Sequence, residues 1–225
     1  MTETYAVIVA AGRSTRMGEM DKQLLEIAGM PVLLRTLGTF ENSPSVKGAV
    51  LVVAPEKMEQ YTGIVSGWQL KKLLSIVPGG AQRQQSVYSG LLALPFSCGT
   101  VLVHDGARPL VTVDDIEAVA AAAGEYGAAT LAVPVKDTVK VAAPDGFVAG
   151  TPDRSTLWHT QTPQGFSYSL LIDAHKSYTP AEFATDDASM VERLGYRVRL
   201  VAGSYRNIKI TTPEDVPVAE ALLRG

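Results

Sequence analysis

YAVIVAAGRSTRMGEMDKQ, residues 5–23, begins with an apolar run of β-branched and small residues that stops at Gly12 and passes into a turn carrying Arg13, Arg16 and Lys22. A strand apolar on both faces belongs in a parallel sheet covered by helices on both sides. The same rhythm continues along the chain. GAVLVVA (48–54), LLSIV (73–77), TVLVHD (100–105) and AATLAVPV (128–135) read as further strands, with helical segments at 31–40, 55–65, 84–94 and 112–127 between them. This alternation predicts an α/β fold. Pro31 suits a first helical position, and Thr112 before Asp114 and Asp115 predicts a helix start.

The rhythm breaks after Val135. DTVKVAAPDGFVAGTPDR (137–154) reads as two extended arms around Pro144-Asp145-Gly146, which predicts a β-hairpin excursion at about 135–156. Beyond it the pattern predicts helices at 167–177 and 186–194, strands YRVRLV (196–201) and NIKIT (207–211), and a last helix begun by Thr212. A chain of 225 residues with 46% hydrophobic residues supports one domain over 1–225. Twenty Lys+Arg against 23 Asp+Glu leave a net charge of −3, which excludes a general nucleic-acid binder. Any anionic ligand must therefore meet local positive charge. Cys98 is the single cysteine, so no internal disulfide exists, and His104, His159 and His175 lack zinc-ligand spacing. The apolar run at the amino terminus is too short for a signal peptide or membrane span, which predicts a cytoplasmic chain with no membrane partner.

The turn after the first strand falls at the carboxyl edge of the presumptive sheet, where open α/β sheets bind ligands. Gly12 and Gly18 let backbone N–H groups approach an anion, while Arg13, Arg16 and Lys22 supply charge suited to a triphosphate. The segment is neither a P-loop nor a dinucleotide fingerprint, and a solvated surface turn is the competing reading. Gly79-Gly80 leads through Arg83 to Ser86 at a helix start, which can read a base edge or a phosphate or be a plain strand-to-helix turn. HDGARP places Asp105 where a carboxylate can hold Mg²⁺ and Arg108 where it can meet a second anion, unless the two simply pair. Thr138, Arg154, Thr162, Thr185 and Lys209 are weaker candidates taken singly. His104, His159 and Trp158 read as packing or hydrogen-bonding residues, and Cys98 lacks a histidine partner for a catalytic thiol.

Taken together, AAGRSTRMG with KQ, GGAQRQQSV, VHDGARP, PVKDTVK, DRSTLWHTQTPQGF, TDDASMVE and NIKITTPED resemble the 2-C-methyl-D-erythritol 4-phosphate cytidylyltransferase family over nearly the whole chain. The resemblance implies a Rossmann-like three-layer nucleotidyltransferase fold with a mostly parallel central sheet and a protruding hairpin arm. It also implies transfer of the cytidylyl group from CTP to methylerythritol phosphate, with Mg²⁺, in nonmevalonate isoprenoid synthesis. By the same resemblance Arg16, Lys22 and Lys209 are catalytic, and Ala10, Ala11, Gly12, Gly80 and Ser86 bind CTP. Asp105, Arg108, Thr138, Arg154, Thr162 and Thr185 surround the polyol phosphate, Asp105 supporting the metal as well. The arm implies a homodimer in which Thr138 and Arg154 cross the interface. Asp21, Ala81 and Val9 depart from the family pattern, Asp21 and Val9 standing where proline is usual. The nearest alternatives are a ribitol 5-phosphate cytidylyltransferase, and a nucleotide-binding module without turnover.

Overall fold

The structure, a computed structural model, describes residues 3–12, 21–177 and 184–224. In chain order its strands are β1 (Glu3–Ala10), β2 (Glu26–Ile27), β3 (Met30–Pro31), β4 (Val46–Val53), β5 (Leu73–Pro78), β6 (Cys98–Asp105), β7 (Ala128–Pro134), β8 (Val141–Ala142), β9 (Val148–Gly150), β10 (Trp158–Ser167) and β11 (Arg199–Ala202). The helices are α1 (Val32–Asn42), α2 (Met58–Ser66), α3 (Arg83–Leu92), α4 (Val113–Tyr126), α5 (Tyr168–Ser177), α6 (Asp187–Arg193) and α7 (Asp215–Arg224). Seven strands form the main sheet in the order β11-β7-β10-β6-β1-β4-β5. Every pairing in it is parallel except those of β10, which runs antiparallel between β6 and β7.

Alternation along β1 divides the core. Ala6, Ile8 and Ala10 join Leu33, Phe40, Leu51 and Ile116 on one face of the sheet. Tyr5 and Val7 join Val87, Leu91, Phe166 and Leu171 on the other. Helices on both faces thus bury both sets of side chains, as the continuous apolar strands require. α3 lies especially close to the sheet, because a Cβ at Gly90 would stand 2.4 Å from Val7 Cγ1 and 2.8 Å from Val52 Cγ2. Only a glycine allows that approach, and it brings the amino end of α3 to the carboxyl end of β1. Thr112 caps α4 as its sequence predicts: Thr112 Oγ1 accepts from Asp115 N–H at 3.1 Å and the Asp115 carboxylate accepts from Thr112 N–H at 3.0 Å.

Several elements differ from the sequence expectation, among them β11, which starts at Arg199 and not at Tyr196. β10 is absent from that expectation, because Thr160-Gln161-Thr162-Pro163-Gln164-Gly165 lacks apolar alternation; its buried polar side chains are satisfied by hydrogen bonds instead. NIKIT is no strand. Its Ile210 N–H donates to Ala107 C=O at 2.8 Å, and Ile210 packs in a satellite cluster with Ile27, Val32 and Ala219, so burial produces the alternation without a ladder. Pro31 ends β3 and stands at the N-cap of α1, one residue before the predicted position. The hairpin is present as β8 and β9, with Gly146 at φ +86° in the turn.

The joint between β6 and β10 is a chain of hydrogen bonds with one consistent direction. Asp105 N–H donates to Thr162 Oγ1 at 3.1 Å, and Thr162 Oγ1 lies 3.0 Å from His104 Nδ1. His104 Nε2 lies 3.3 Å from Arg108 C=O, which can only accept. The imidazole therefore carries its proton on Nε2, and Nδ1 accepts from the threonine hydroxyl. His104 is fully buried, and burial pushes it down to about 3, so the ring stays neutral. The unfolded chain, in contrast, protonates this histidine near pH 6.5. Between those values the unfolded state binds more protons, so the contribution is complete above about pH 6.5 and declines as pH falls toward 3, by about 1.4 kcal/mol per unit. Urea denaturation between about pH 5 and 6.5, above the range where carboxylates titrate, is expected to show this slope, and His104→Gln to flatten it. An unchanged slope in the variant would remove His104 from the account.

Candidate active site

A cavity of about 300 Å³ opens at the carboxyl ends of β1 and β6. Three groups of backbone meet there because close contacts leave no alternative. A Cβ at Gly79 would lie 2.5 Å from Ala11 Cβ and 2.7 Å from Ser86 Oγ, so the turn after β5 presses on the end of β1 and the start of α3. Ser86 Oγ accepts from Gly80 N–H at 3.1 Å and donates to Gln82 C=O at 3.1 Å, which fixes the turn's shape. The third wall comes from Asp105 and Ala107, with Lys209 fastened to them by the Ile210-to-Ala107 hydrogen bond.

Among the residues predicted from sequence, Ala11, Gly12, Lys22, Gly80, Ser86, Asp105 and Lys209 line this one cavity. Ala10 is buried at the end of β1, just behind it. Arg108 stands beside the wall, its Nε 3.8 Å from Asp105 Oδ2 and its Nη1 donating to Asn207 C=O at 2.8 Å. Thr162 turns its hydroxyl to Asp105 N–H and His104, away from solvent. Thr138 and Arg154 are exposed on the arm, where Arg154 Nη1 donates to Lys136 C=O at 2.9 Å. Thr185 is exposed just before α6. Arg16, with Arg13 and Gly18, lies outside the described residues. Ala81, one of the departures from the family pattern, and Val9, another, both line the cavity.

Electrostatically the site is organised around Asp105. Lys209 Nζ lies 2.7 Å from Oδ2 and Arg83 Nε 3.6 Å from Oδ1, with Arg108 completing three cations about one carboxylate. Burial alone works to raise the Asp105 pKa, but Arg83, Lys209 and Arg108 outweigh it and hold the carboxyl well below its usual range. The three cations thus favour its charged form.

The sequence reading passed over Arg83 and Asp187, which together form the outer support of this centre. Arg83 Nη1 lies 2.7 Å from Asp187 Oδ2, so the guanidinium bridges two buried carboxylates. Burial opposes ionisation of Asp187, and the Arg83 charge more than offsets it, so its pKa is lowered. His175 Nε2 stands 3.6 Å from Asp187 Oδ1 on the far side. A signal existed in the Asp186-Asp187 pair: Asp186 alone caps α6, accepting from Ser189 N–H at 3.0 Å, so the second aspartate is spare for another task. Gln23 is also new. It is buried in the cavity wall, and its Oε1 has no hydrogen-bond partner.

Among the described residues no group of three or more His, Cys, Asp or Glu is arranged to hold a metal ion, and no helix is long and apolar enough to cross a membrane. What the cavity offers is cationic side chains beside exposed backbone at a sheet edge, the chemistry of phosphate binding.

Comparison with known proteins gives the same picture. The protein from Pelotomaculum thermopropionicum named 2-C-methyl-D-erythritol 4-phosphate cytidylyltransferase is 53% identical, across 100% of this chain and 96% of its own length. The solved 4-diphosphocytidyl-2C-methyl-D-erythritol synthase of Anaerococcus prevotii superposes with a TM-score of 0.88 at 31% identity, covering 100% of this chain and 97% of that one. The Thermus thermophilus cytidylyltransferase structure gives 0.77 at 32% identity, covering 97% and 98%. The family model for 2-C-methyl-D-erythritol 4-phosphate cytidylyltransferase matches residues 4–225, and the chain belongs to that family, with its nucleotidyltransferase fold.

Proposed function

We propose that this protein transfers the cytidylyl group of CTP to 2-C-methyl-D-erythritol 4-phosphate and releases pyrophosphate. The observation that carries the reading is the meeting of Lys22 and Lys209, from opposite ends of the chain, at one cavity lined by Gly12 and Gly80 on a chain of this family. A phosphate monoester oxygen attacks the α-phosphorus of CTP. The new P–O bond forms as the bond to the β-phosphate breaks, and pyrophosphate departs with the electron pair. The nucleophile is already an anion, so no general base is needed, and clamped Asp105 is not one. The barrier is the approach of two anions, which fixed positive charge lowers.

In this reading Lys22 and Arg16 hold the triphosphate, and Lys22 and Lys209 flank the α-phosphate. The backbone of Ala10, Ala11, Gly12 and Gly80, shaped by Ser86, receives the cytosine and phosphates. Arg108 and Thr185, with Thr138 and Arg154 from a second subunit, surround the methylerythritol phosphate, and Thr162 acts from behind this layer through its bonds to Asp105 N–H and His104. Exposed Val141, Phe147 and Val148 on the arm support such a homodimer. Mg²⁺ would be carried by the CTP phosphates, with Asp105 at the cavity wall as the carboxylate that would support it, although its oxygens already serve Arg83, Arg108 and Lys209. When bound, it would neutralise phosphate charge. The buried, unpaired Cys98 suits the reducing cytoplasm.

Lys209→Ala is expected to lower turnover by about a hundredfold or more, because the charge it meets grows in the transition state. Steady-state pyrophosphate release checks this, and near-normal turnover would take Lys209 out of the mechanism. Mixing inactive Arg154→Ala and Lys209→Ala proteins is expected to restore part of the activity through mixed dimers. No recovery after demonstrated subunit exchange would contradict a shared site.

A further inference from the structure

Lys22 is flanked on both sides by residues that are anchored by hydrogen bonds. Asp21 before it accepts two hydrogen bonds on Oδ2, from Lys57 Nζ at 2.7 Å and Tyr61 OH at 2.8 Å. Its Oδ1 accepts from Gln23 N–H at 3.1 Å, and its carbonyl from Leu24 N–H at 3.0 Å. Gln23 after it is buried, and its carbonyl accepts from Leu33 N–H at 3.0 Å. One carboxylate thus ties this turn to the helical segment containing Lys57 and Tyr61 and closes the turn on itself.

The partners are built for support and not for ligand contact. Tyr61 is fully buried and belongs to the same core cluster as Leu34, Leu37 and Val53. Burial and the Asp21 carboxylate both push its phenol upward, so it remains a donor at working pH. Neither Lys57 nor Tyr61 lines the cavity. The Lys57 ammonium also compensates the Asp21 charge beside Lys22. Charge-assisted hydrogen bonds of this kind are about twice as strong as neutral ones.

We infer that Asp21 is a positioning residue for Lys22: by gripping Lys57 and Tyr61 it fixes the direction in which Lys22 enters the cavity and the affinity for the CTP triphosphate. The inference rests on the functional reading above for its kinetic consequence, and on geometry alone for the anchoring. Loosening the anchor leaves the lysine charge in place but spreads it over many orientations, so binding and turnover of CTP suffer, while the polyol phosphate keeps its own separate contacts at Arg108, Thr185 and Arg154 in the proposed site.

Two single variants, their combination and two readouts test it. Asp21→Ala removes all three side-chain hydrogen bonds, and Tyr61→Phe removes one while keeping the ring in the core. Asp21→Ala is expected to lower kcat/KM for CTP by about tenfold or more and Tyr61→Phe by about threefold to tenfold, with KM for methylerythritol phosphate within about twofold of wild type. The double variant is expected to match Asp21→Ala alone, since both act through one carboxylate. Limited trypsin digestion, with products mapped by mass spectrometry, is expected to show faster cleavage at the Lys22–Gln23 bond in both variants, with the thermal midpoint of Tyr61→Phe lowered by only about 5 °C or less. This second readout needs no activity: wild-type protein silent toward CTP would sink the functional reading while digestion still decides the anchor. Cleavage at Lys22–Gln23 equal to wild type in both variants would overturn the inference. So would acceleration at all tryptic sites alike, which marks general destabilisation.

Discussion

Three cations share one carboxylate, and the rest of the site depends on that imbalance. Arg83, Arg108 and Lys209 reach Asp105 from three different segments of the chain. Without the carboxylate, three positive charges would repel one another in a partly buried wall; with it, they are held in place and still leave net positive charge. Asp187 extends the pattern outward by a second carboxylate on Arg83. Arg83 is therefore shared between two carboxylates, one on each side.

The sheet exists in the form that makes this possible. β1 and β6 run parallel with Val9 opposite Asp105, so the first glycine turn and the aspartate end at the same edge. Gly90 lets α3 lie close enough to bring Gly80 and Ser86 to that edge. The 203–211 segment has no ladder of its own and is fastened by single bonds: Asn207 Nδ2 donates to Thr162 C=O at 2.9 Å and Gln161 Nε2 to Ser204 C=O at 2.9 Å. Through Thr162 these bonds connect Lys209's segment to the neutral His104 relay and so to the backbone of Asp105.

Much of this was legible in the chain because apolar periodicity reports burial on both faces of a sheet. The five parallel strands near the amino terminus, the capped start of α4 and the Pro144-Asp145-Gly146 turn all follow from such local signals. β10 was hidden because its interior is polar and satisfied by hydrogen bonds, which no hydrophobic pattern records. NIKIT misled for the opposite reason, since Ile210 is buried by packing without a strand partner. At the site, lysines and glycines next to strand ends were readable, whereas the Arg83–Asp187 bridge joins residues far apart in sequence. Asp21 stands out in the sequence only as a departure from the family pattern, at a position where proline is usual. Its side chain supplies the fixation through Lys57 and Tyr61, which nothing local to Asp21 foretold.

Fixed charge acting on an anionic nucleophile also defines what the protein must select. The α-phosphate chemistry is common to every nucleoside triphosphate, so specificity has to come from backbone groups around Gly80 and Ser86 and from the polyol pocket. The decisive measurement is pyrophosphate release with Mg²⁺ in a matrix of CTP, UTP, ATP and GTP against methylerythritol 4-phosphate and ribitol 5-phosphate. Strong release for CTP with methylerythritol 4-phosphate alone is the predicted result. Release with ribitol 5-phosphate in its place, or none from folded protein in any combination, would contradict it.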